Sequence, residues 1–496
     1  FANKYLKEDN YAVIYKKQGK DPNEKKMTKP EITPIITNRD VASPFLVEVQ
    51  ESAVKPIEPV FLDYQKDMSQ LKAKSDIPVL YKQNVANDLF QLIYVFDMGN
   101  NHNKALGTAF DYLEYLGTSD MTPEELKSEF YRLACTFYVS PGNERTYVVL
   151  SGLNENMPAA VQLFEKLLAD AQVNKEAYTN MTGDILKARS DAKLNQGQNF
   201  SRLMSFAMYG PKSPATNLLT EAELTNMNPQ ELVDRIHNQN SYKHRILYYG
   251  PSSSKDLLAT INQYHQVPAT LKEIPAGNEY SYLETPVTKV LIAPYDAKQI
   301  YMAQISNLDK KYDPAIEPSR ALYDEYFGGG MNSIVFQEMR ETRGLAYSAW
   351  ASIMPPSYLK YPYVLRTQIA TQNDKMIDAV TTFNDIINNM PESEAAFKLA
   401  KDGLTNRLRT ERIIKGDIIW SYINAQDLGQ NVDPRIKLYN DIQNMTLKDI
   451  VDFQKQWVKG RTYVYCILGD KKDLELDKLK AVGPIEELTQ EQIFGY

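Results

Sequence analysis

The chain has 496 residues, of which 43% are hydrophobic and 24% charged, and its net charge is −7. This composition is typical of a soluble globular protein with a large apolar core, divided into roughly two to four domains. The acidic balance argues against nucleic acid as a partner, no apolar run approaches the ~20 residues of a membrane span, and two cysteines cannot build a disulfide framework.

The start of the chain is similar to a segment near its end. Three matches share one constant separation of 452 residues: Phe1, Lys7 and Tyr11 with Phe453, Lys459 and Tyr463. We therefore expect residues 1–18 to be the last strand of a preceding domain, and the natural protein to continue upstream of them. Residues 19–59 contain six prolines and no sustained periodicity, which predicts an interdomain linker.

Residues 60–270 are predicted to form a mixed α+β domain. Thr122 is a good N-cap for a helix that has Pro123 in its first turn. Alternation and a Pro-Gly-Asn turn predict a hairpin of two strands. Apolar spacing predicts two helices after it. The expected ranges are 134–140 and 146–153 for the strands, and 157–169 and 175–208 for the helices.

Residues 271–496 repeat the order of elements of the first domain. Scattered matches share a separation of 218 or 219 residues, among them Asn226-Met227 with Asn444-Met445, and Lys255-Asp256-Leu257 with Lys472-Asp473-Leu474. Separations this constant indicate two copies of one domain.

The most informative segment is residues 328–348, with the sequence GGGMNSIVFQEMRETRGLAYS. It predicts a glycine-rich loop, a short helix capped by Ser333, a stop at Gly344 and a strand. The glycine triplet is not a phosphate loop, because neither a GxxxxGKS/T pattern nor an acidic residue at dinucleotide spacing accompanies it.

This order of glycine loop, apolar-Arg helix and Gly-Leu-Ala-Tyr resembles the second-half domains of M16 (pitrilysin/insulinase-type) zinc peptidases. With the duplication, the resemblance covers nearly the whole chain. It implies two homologous M16-type (LuxS/metallohydrolase-like) domains, the third at 60–270 and the fourth at 271–496. Each is expected to be a mostly antiparallel sheet packed with helices.

The resemblance also implies a role for Arg340 and Tyr347, which stand seven residues apart. In catalytic family members an Arg and a Tyr at this spacing contact the substrate and help to stabilise the tetrahedral intermediate. A guanidinium and a phenol O–H are suitable donors to a developing oxyanion. The alternative is structural, since the helix dipole favours an Arg in a last turn and a strand Tyr usually packs.

The zinc motif of the family, an inverted HxxEH, is absent from this chain. No two of its four histidines have that spacing: His102, His237, His244 and His265. The matching position of the first copy holds Asp111 and Tyr115 in place of the two histidines, with Glu114 kept. Cys135 stands in the first copy where Tyr347 stands in the second, and we interpret it as a small buried hydrophobe.

The leading hypothesis is the non-zinc half of an M16 metalloendopeptidase, inactive as the isolated chain. It would bind peptide, by addition of a strand to a sheet edge in the family's manner, while a missing N-terminal half supplies zinc. No cofactor is expected in this chain. The alternative is a degenerate M16 protein that binds peptides or serves as a structural assembly subunit. The expected location is the periplasm.

Overall fold

A computed structural model describes residues 1–7, 9–17, 19, 43–53, 55–296 and 299–496. The chain divides into two compact units, Phe1–Pro56 and Ile57–Tyr496. Among the residues described, no helix is both long enough and apolar enough to cross a membrane.

The smaller unit contains two helices, α1 (Ala2–Tyr5) and α2 (Pro44–Glu51). The strand expected within residues 1–18 is not formed here, because residues 2–5 are helical and residues 11–17 belong to no helix or strand. A strand needs a neighbour with which to exchange hydrogen bonds, so its assignment to a preceding domain stays a prediction. Most of the predicted linker, residues 20–42 and 54, lies outside the described residues.

The first half of the larger unit is built on a six-stranded sheet of order β1-β2-β6-β3-β5-β4. All neighbouring strands are antiparallel except β2 and β6, which are parallel. The strands are β1 (Ser69–Lys72), β2 (Pro78–Gln83), β3 (Leu89–Phe96), β4 (Cys135–Pro141), β5 (Thr146–Leu153) and β6 (Arg245–Gly250).

Nine helices accompany this first sheet along the described chain. They are α3 (Tyr64–Asp67), α4 (Leu106–Leu113), α5 (Pro123–Arg132), α6 (Met157–Asp170), α7 (Lys175–Lys193), α8 (Gln196–Tyr209), α9 (Glu221–Asn226), α10 (Pro229–Asn238) and α11 (Ser254–Tyr264).

The second half repeats the sheet in the order β12-β7-β11-β8-β10-β9. Its neighbours are antiparallel except for β7, which is parallel to both β11 and β12. The strands are β7 (Lys289–Pro294), β8 (Gln299–Lys311), β9 (Ser348–Met354), β10 (Pro362–Gln372), β11 (Val464–Gly469) and β12 (Ile485–Glu487).

Nine helices belong to the second half along the described chain. They are α12 (Glu317–Phe327), α13 (Ile334–Phe336), α14 (Met376–Asn388), α15 (Glu394–Thr410), α16 (Asp417–Asp427), α17 (Pro434–Ile442), α18 (Leu447–Trp457), α19 (Leu476–Lys480) and α20 (Gln490–Phe494). A π-helical turn, Gln337–Thr342, directly continues α13. The predicted α+β class with mostly antiparallel sheets is therefore confirmed.

One predicted element is wrong in its extent, because residues 175–208 form two helices rather than one. The helix α7 ends at Lys193, and Asn195 then caps α8 by accepting a hydrogen bond from the backbone N–H of Gln198. An Asn side chain favours a helix start because it satisfies a backbone donor that has no partner inside the helix.

The two halves exchange one helix each. From the first half, α8 packs Phe200, Leu203 and Met204 into a buried cluster with residues of β7, β8 and β11. From the second half, α16 packs Ile418, Ile419 and Ile423 against β2, β3, β5 and β6. Each sheet therefore has one face covered by helices of its own half and the other face covered by the exchanged helix, which ties the two halves into one core.

Candidate functional site

The segment that carries Arg340 begins with a cap and a buried helical face. The Ser333 hydroxyl accepts from the backbone N–H of Phe336, as predicted, while the side chains of Val335 and Met339 are fully buried. The helix then widens into the π-helical turn Gln337–Thr342, which contains Arg340. Single π-turns of this kind are rare and are found frequently at functional sites.

A tight turn connects this helix to the edge of the second sheet. Gly344 has φ +56°, a left-handed conformation that glycine adopts without a Cβ penalty. The backbone N–H of Leu345 donates to the carbonyl of Met339 at 2.8 Å, and that of Tyr347 donates to Ala370 on β10 at 3.2 Å. Tyr347 therefore enters the sheet immediately before β9, beside the helix end that carries Arg340.

The turn brings the two predicted site residues into contact. The Arg340 guanidinium carbon lies 5.1 Å from the centre of the Tyr347 ring and 4.9 Å from that of Phe336. The Tyr347 residue is 74% exposed and the Arg340 side chain 41% exposed. Arg340 forms a weak ion pair, with its Nε 3.7 Å from the Glu341 carboxylate. Stacking holds the guanidinium by its face, so that its N–H edge and the phenol O–H can bind a ligand together.

The outer edge of β9 is partly closed by α12. The Asp324 carboxylate accepts from the backbone N–H of Ile353 at 2.8 Å, and Arg320 donates to the Ile353 carbonyl at 3.2 Å. At the end of the same helix, a Cβ on Gly328 would lie 2.1 Å from the carbonyl oxygen of Ala351. Burial raises the pKa of Asp324 to about 6 against the opposing charge of Arg320.

The corresponding edge strand of the first sheet, β4, has a neighbour on one side only. The Ala134 carbonyl accepts from Leu153 and Gly142 donates to Arg145, so the even-numbered residues of this segment face β5. The backbone groups of the odd-numbered residues between them therefore point to the outer edge. An apolar cavity of about 690 Å³ opens beside the start of this strand, lined by Glu114, Lys127, Phe130, Tyr131, Ala134, Cys135, Thr136 and Phe137.

The position of the zinc motif in the first half does not suit zinc. Asp111 lies on α4, while Glu114 and the 43%-exposed Tyr115 follow its end. Zinc in proteins is held chiefly by imidazole and thiolate ligands, and a phenol is a poor substitute. Within the described part of the chain, no group of three or more His, Cys, Asp or Glu side chains could hold a metal ion.

Cys135 occupies the strand position that Tyr347 has in the second half, and the two environments differ. Cys135 is 2% exposed, and its thiol lies 4.0 Å from the Leu153 carbonyl oxygen. Burial raises the pKa of this thiol, which disfavours the reactive thiolate. The interpretation of Cys135 as a small buried hydrophobe agrees with this geometry.

Sequence reasoning did not anticipate the π-turn or the contacts that support the turn after it. One sequence signal accompanies them. In both halves a cap residue accepts from the backbone N–H three residues on: Thr122 in the first half and Ser333 in the second. The segment from this cap to the edge strand is one residue longer in the second half (Ser333 to Tyr347) than in the first (Thr122 to Cys135). An extra residue in an otherwise matched segment has to be absorbed by a helix widening or a longer turn.

Two copies of an α+β domain, with Asp111 and Tyr115 near the end of α4 in the first and an exposed Arg340–Tyr347 pair in the second, together describe the candidate site. A family model, described as "Peptidase M16 inactive domain", matches residues 246–404. The chain therefore contains an M16-type C-terminal domain, and the resemblance predicted from residues 328–348 is confirmed.

Solved structures share this fold at low sequence identity. A peptidase M16 inactive domain from Pseudomonas fluorescens aligns with a TM-score of 0.63 and 15% identity, over 82% of this chain and 98% of that one. The periplasmic protease PqqL from Escherichia coli aligns with a TM-score of 0.66 and 13% identity, over 90% of this chain and 49% of that one. At such identities the likeness concerns the fold.

Two curated relatives differ in what their names state. The "Uncharacterized zinc protease" of Rickettsia felis is 20% identical over 263 residues, which are 50% of this chain and 60% of that protein. The "Non-peptidase homolog YmxG" of Helicobacter pylori is 23% identical over 426 residues, which are 80% of this chain and 93% of that protein. The match thus spans less than two thirds of the zinc protease but nearly all of the non-peptidase.

Proposed function

We propose that this chain is the non-zinc half of an M16 metalloendopeptidase, which binds peptide and stabilises the transition state beside a zinc-binding half. The observation that carries this proposal is the exposed stack of Arg340 on Tyr347, 5.1 Å apart, at the end of the π-turn. Peptide-bond hydrolysis places negative charge on the carbonyl oxygen, and a phenol O–H with a guanidinium edge offers donors to that charge.

The partners in this proposal are a peptide and the zinc-binding half. The open edge of β4 is a place where an extended peptide could add a strand, since its backbone groups recognise any main chain. The edge of β9 is less suited to this, because Asp324 and Arg320 already bind the backbone of Ile353. A periplasmic location belongs to the proposal too and has its support in the description of PqqL.

The first test concerns the isolated chain. We expect it to hold no stoichiometric zinc and to cleave no peptide, because Asp111 and Tyr115 replace the two imidazoles and nothing else there activates water. The measurements are elemental analysis after metal loading and dialysis, and a chelator-controlled assay on quenched peptides. One tightly bound zinc per chain, or robust chelator-sensitive hydrolysis, would contradict the proposal.

The second test requires the chain in complex with its zinc-binding half. Tyr347→Phe should lower kcat by about 10²–10³, more than it raises KM, since one oxyanion donor is lost in the transition state. Arg340→Ala should also raise KM if the guanidinium holds the substrate in the ground state. Thermal melts should stay near wild type, because both side chains are substantially exposed. A normal kcat for Tyr347→Phe would return that ring to a packing role.

A second function is favoured by the relative that matches most of this chain. The Helicobacter protein is described as a non-peptidase homologue, and 93% of its length aligns. In this alternative the chain binds peptides or assembles a complex without catalysis. Copurification with a partner that carries HxxEH would support the enzyme, whereas a partner without that motif would support the alternative.

A further inference from the structure

Two side chains bind consecutive carbonyl groups of the turn that joins Arg340 to Tyr347. The Lys375 ammonium donates to the carbonyl oxygen of Gly344 at 2.9 Å, and the Thr371 hydroxyl donates to that of Leu345 at 2.5 Å. Thr371 is buried near the end of β10, and Lys375 is the N-cap residue of α14. Both donors therefore come from rigid elements of the second half.

The turn is closed by two backbone hydrogen bonds, from Leu345 to Met339 at 2.8 Å and from Gly344 to Arg340 at 3.2 Å, but its glycine side has no packing support. Gly344 has φ +56°, and no atom outside its chain neighbours lies within 4 Å of the place its Cβ would occupy. Glycine is the least restrained residue of the backbone, so such a turn needs support from outside. Any change in its path would shift Tyr347 relative to the Arg340 helix end and break the stack between them.

The first half provides a comparison for each donor. Asn156 is the N-cap residue of α6, as Lys375 is of α14, and it donates to the carbonyl of Leu133 at 2.8 Å. Leu133 corresponds to Leu345, whose carbonyl accepts from Thr371 in the second half. The place of Thr371 is taken by Gly152, which has no hydroxyl to offer. The first half thus keeps a donor at the helix end but lacks the second one, and it also lacks the Arg–Tyr pair.

We propose that Thr371 and Lys375 are positioning residues that hold the Gly344–Leu345 turn so that Arg340 and Tyr347 stay stacked for peptide binding. This inference rests on the proposed role of the Arg–Tyr pair and adds the two residues that fix its geometry. Neither residue needs to touch the peptide. Small misplacements of binding groups can cost about 10²-fold in catalysis, so the support matters even though it is indirect.

The experiment compares isosteric substitutions with conservative ones in the full chain. Thr371→Val and Lys375→Met remove a donor and keep most of the volume, while Thr371→Ser and Lys375→Arg keep a donor. The probe is a fluorescein-labelled unstructured peptide, chosen from a random-sequence pool for binding to the wild-type chain, and anisotropy gives its Kd. We expect Val and Met to weaken binding by roughly tenfold to hundredfold, and Ser and Arg to restore most of it.

The control is Asn388→Ala, which removes the acceptor of the Gly460 backbone N–H, 3.1 Å away, at the end of α14 opposite Lys375. It removes hydrogen bonding from the second half without touching the Gly344–Leu345 turn, and it should leave the peptide Kd unchanged. If Asn388→Ala weakens binding as much as Thr371→Val and Lys375→Met do, general loss of stability explains the effect and the positioning role is overturned.

A second measurement does not depend on peptide binding. Amide hydrogen exchange over residues 337–347 should become faster in Thr371→Val and Lys375→Met, and it should match wild type in Thr371→Ser. Unchanged exchange in both donor-deletion variants would overturn the inference. If the wild-type chain binds none of the peptides, the proposed function fails, and the exchange data alone then decide whether these residues hold the turn.

Discussion

The two halves place different chemistry at one equivalent buried position. In the first half, Glu165 on α6 accepts from His265 Nδ1 at 2.7 Å, and His265 Nε2 lies 2.8 Å from His244 Nε2. The other nitrogen of His244 donates to the Tyr242 carbonyl at 2.7 Å, so its Nε2 accepts from His265. His265 therefore links Glu165 to His244 through its two ring nitrogens in a buried chain of titratable side chains.

The second half has a neutral network in the same place. Asn384 on α14, which is 219 residues after Glu165, accepts from Gln304 at 2.6 Å and from the Tyr465 hydroxyl at 2.8 Å. The Thr367 hydroxyl completes it by donating to Gln304 at 2.7 Å. One fold thus tolerates either a titratable or a neutral centre, provided that each buried polar group finds a partner.

The contrast extends to the surface, where the second half carries the exposed Arg340–Tyr347 stack and the first half a buried Cys135. The first half keeps an open strand edge, and the second half closes part of its edge with Asp324 and Arg320. The two copies of the domain therefore differ at equivalent places. The first has a buried cluster of histidines and a free strand edge, and the second has an exposed pair of hydrogen-bond donors.

We expect the largest effect from disrupting the packing of the exchanged helices, α8 and α16, on the sheet of the other half. Leu203→Ala on α8 and Ile419→Ala on α16 each remove a side chain that is at most 2% exposed. Each should lower the free energy of unfolding by about 2–5 kcal/mol, because a cavity is left in a core. The measurement is the free energy of unfolding from denaturant titration. The control is Leu194→Ala, because Leu194 is 75% exposed. A normal midpoint for either helix variant would show that its contact is dispensable.

The closed edge of β9 can be opened by Asp324→Ala. This change leaves the backbone N–H of Ile353 without its acceptor and should cost about 1–3 kcal/mol of unfolding free energy. An unpaired edge also favours pairing with other chains, so sedimentation should reveal more self-association than in wild type. Ser352→Ala, which removes only a hydroxyl donor to Asp324, is the matched control. Equal behaviour of the two variants would argue against a covering role for Asp324.

The stability of the centre that contains His244 should depend on pH, whereas that of the neutral centre around Asn384 should not. Burial, and next the charge of His265, lower the pKa of His244 to about 3. In the unfolded chain a histidine has a pKa of about 6.5, so below that value the unfolded state binds the extra proton and stability falls as pH falls. The loss of unfolding free energy amounts to about 2 kcal/mol between pH 6.5 and pH 5, and it continues to grow until the pH reaches about 3.

The variant His244→Gln keeps an acceptor and a donor but does not titrate. Its unfolding free energy should therefore depend less steeply on pH between 6.5 and 5 than that of wild type. Asn384→Asp, which adds an acid to the neutral centre, should instead make the second half sensitive to pH. Identical slopes for wild type and His244→Gln would remove His244 as the source of acid sensitivity.

Several features follow from the sequence alone because neighbours along the chain determine them. The caps Thr122 and Ser333 bind backbone N–H groups three residues ahead, and β5 has the predicted bounds. The glycine turn between Arg340 and Tyr347 was also readable because it is local, whereas their joint role was implied by the family resemblance and stays a prediction. The domain repeat and the family resemblance were also readable, because they are properties of residue order.

Other features were decided only by tertiary structure. The apolar faces of α8 and α16 predict burial, but burial is non-directional and does not reveal that each helix covers the sheet of the other half. Glu165 and His265 are 100 residues apart, and nothing local pairs them. Thr371 and Lys375 likewise reach the turn at Gly344 and Leu345 from a strand end and a helix cap. Contacts between distant residues form because the fold closes around them, and for that reason the sequence identified the Arg–Tyr pair while the structure alone reveals what holds it.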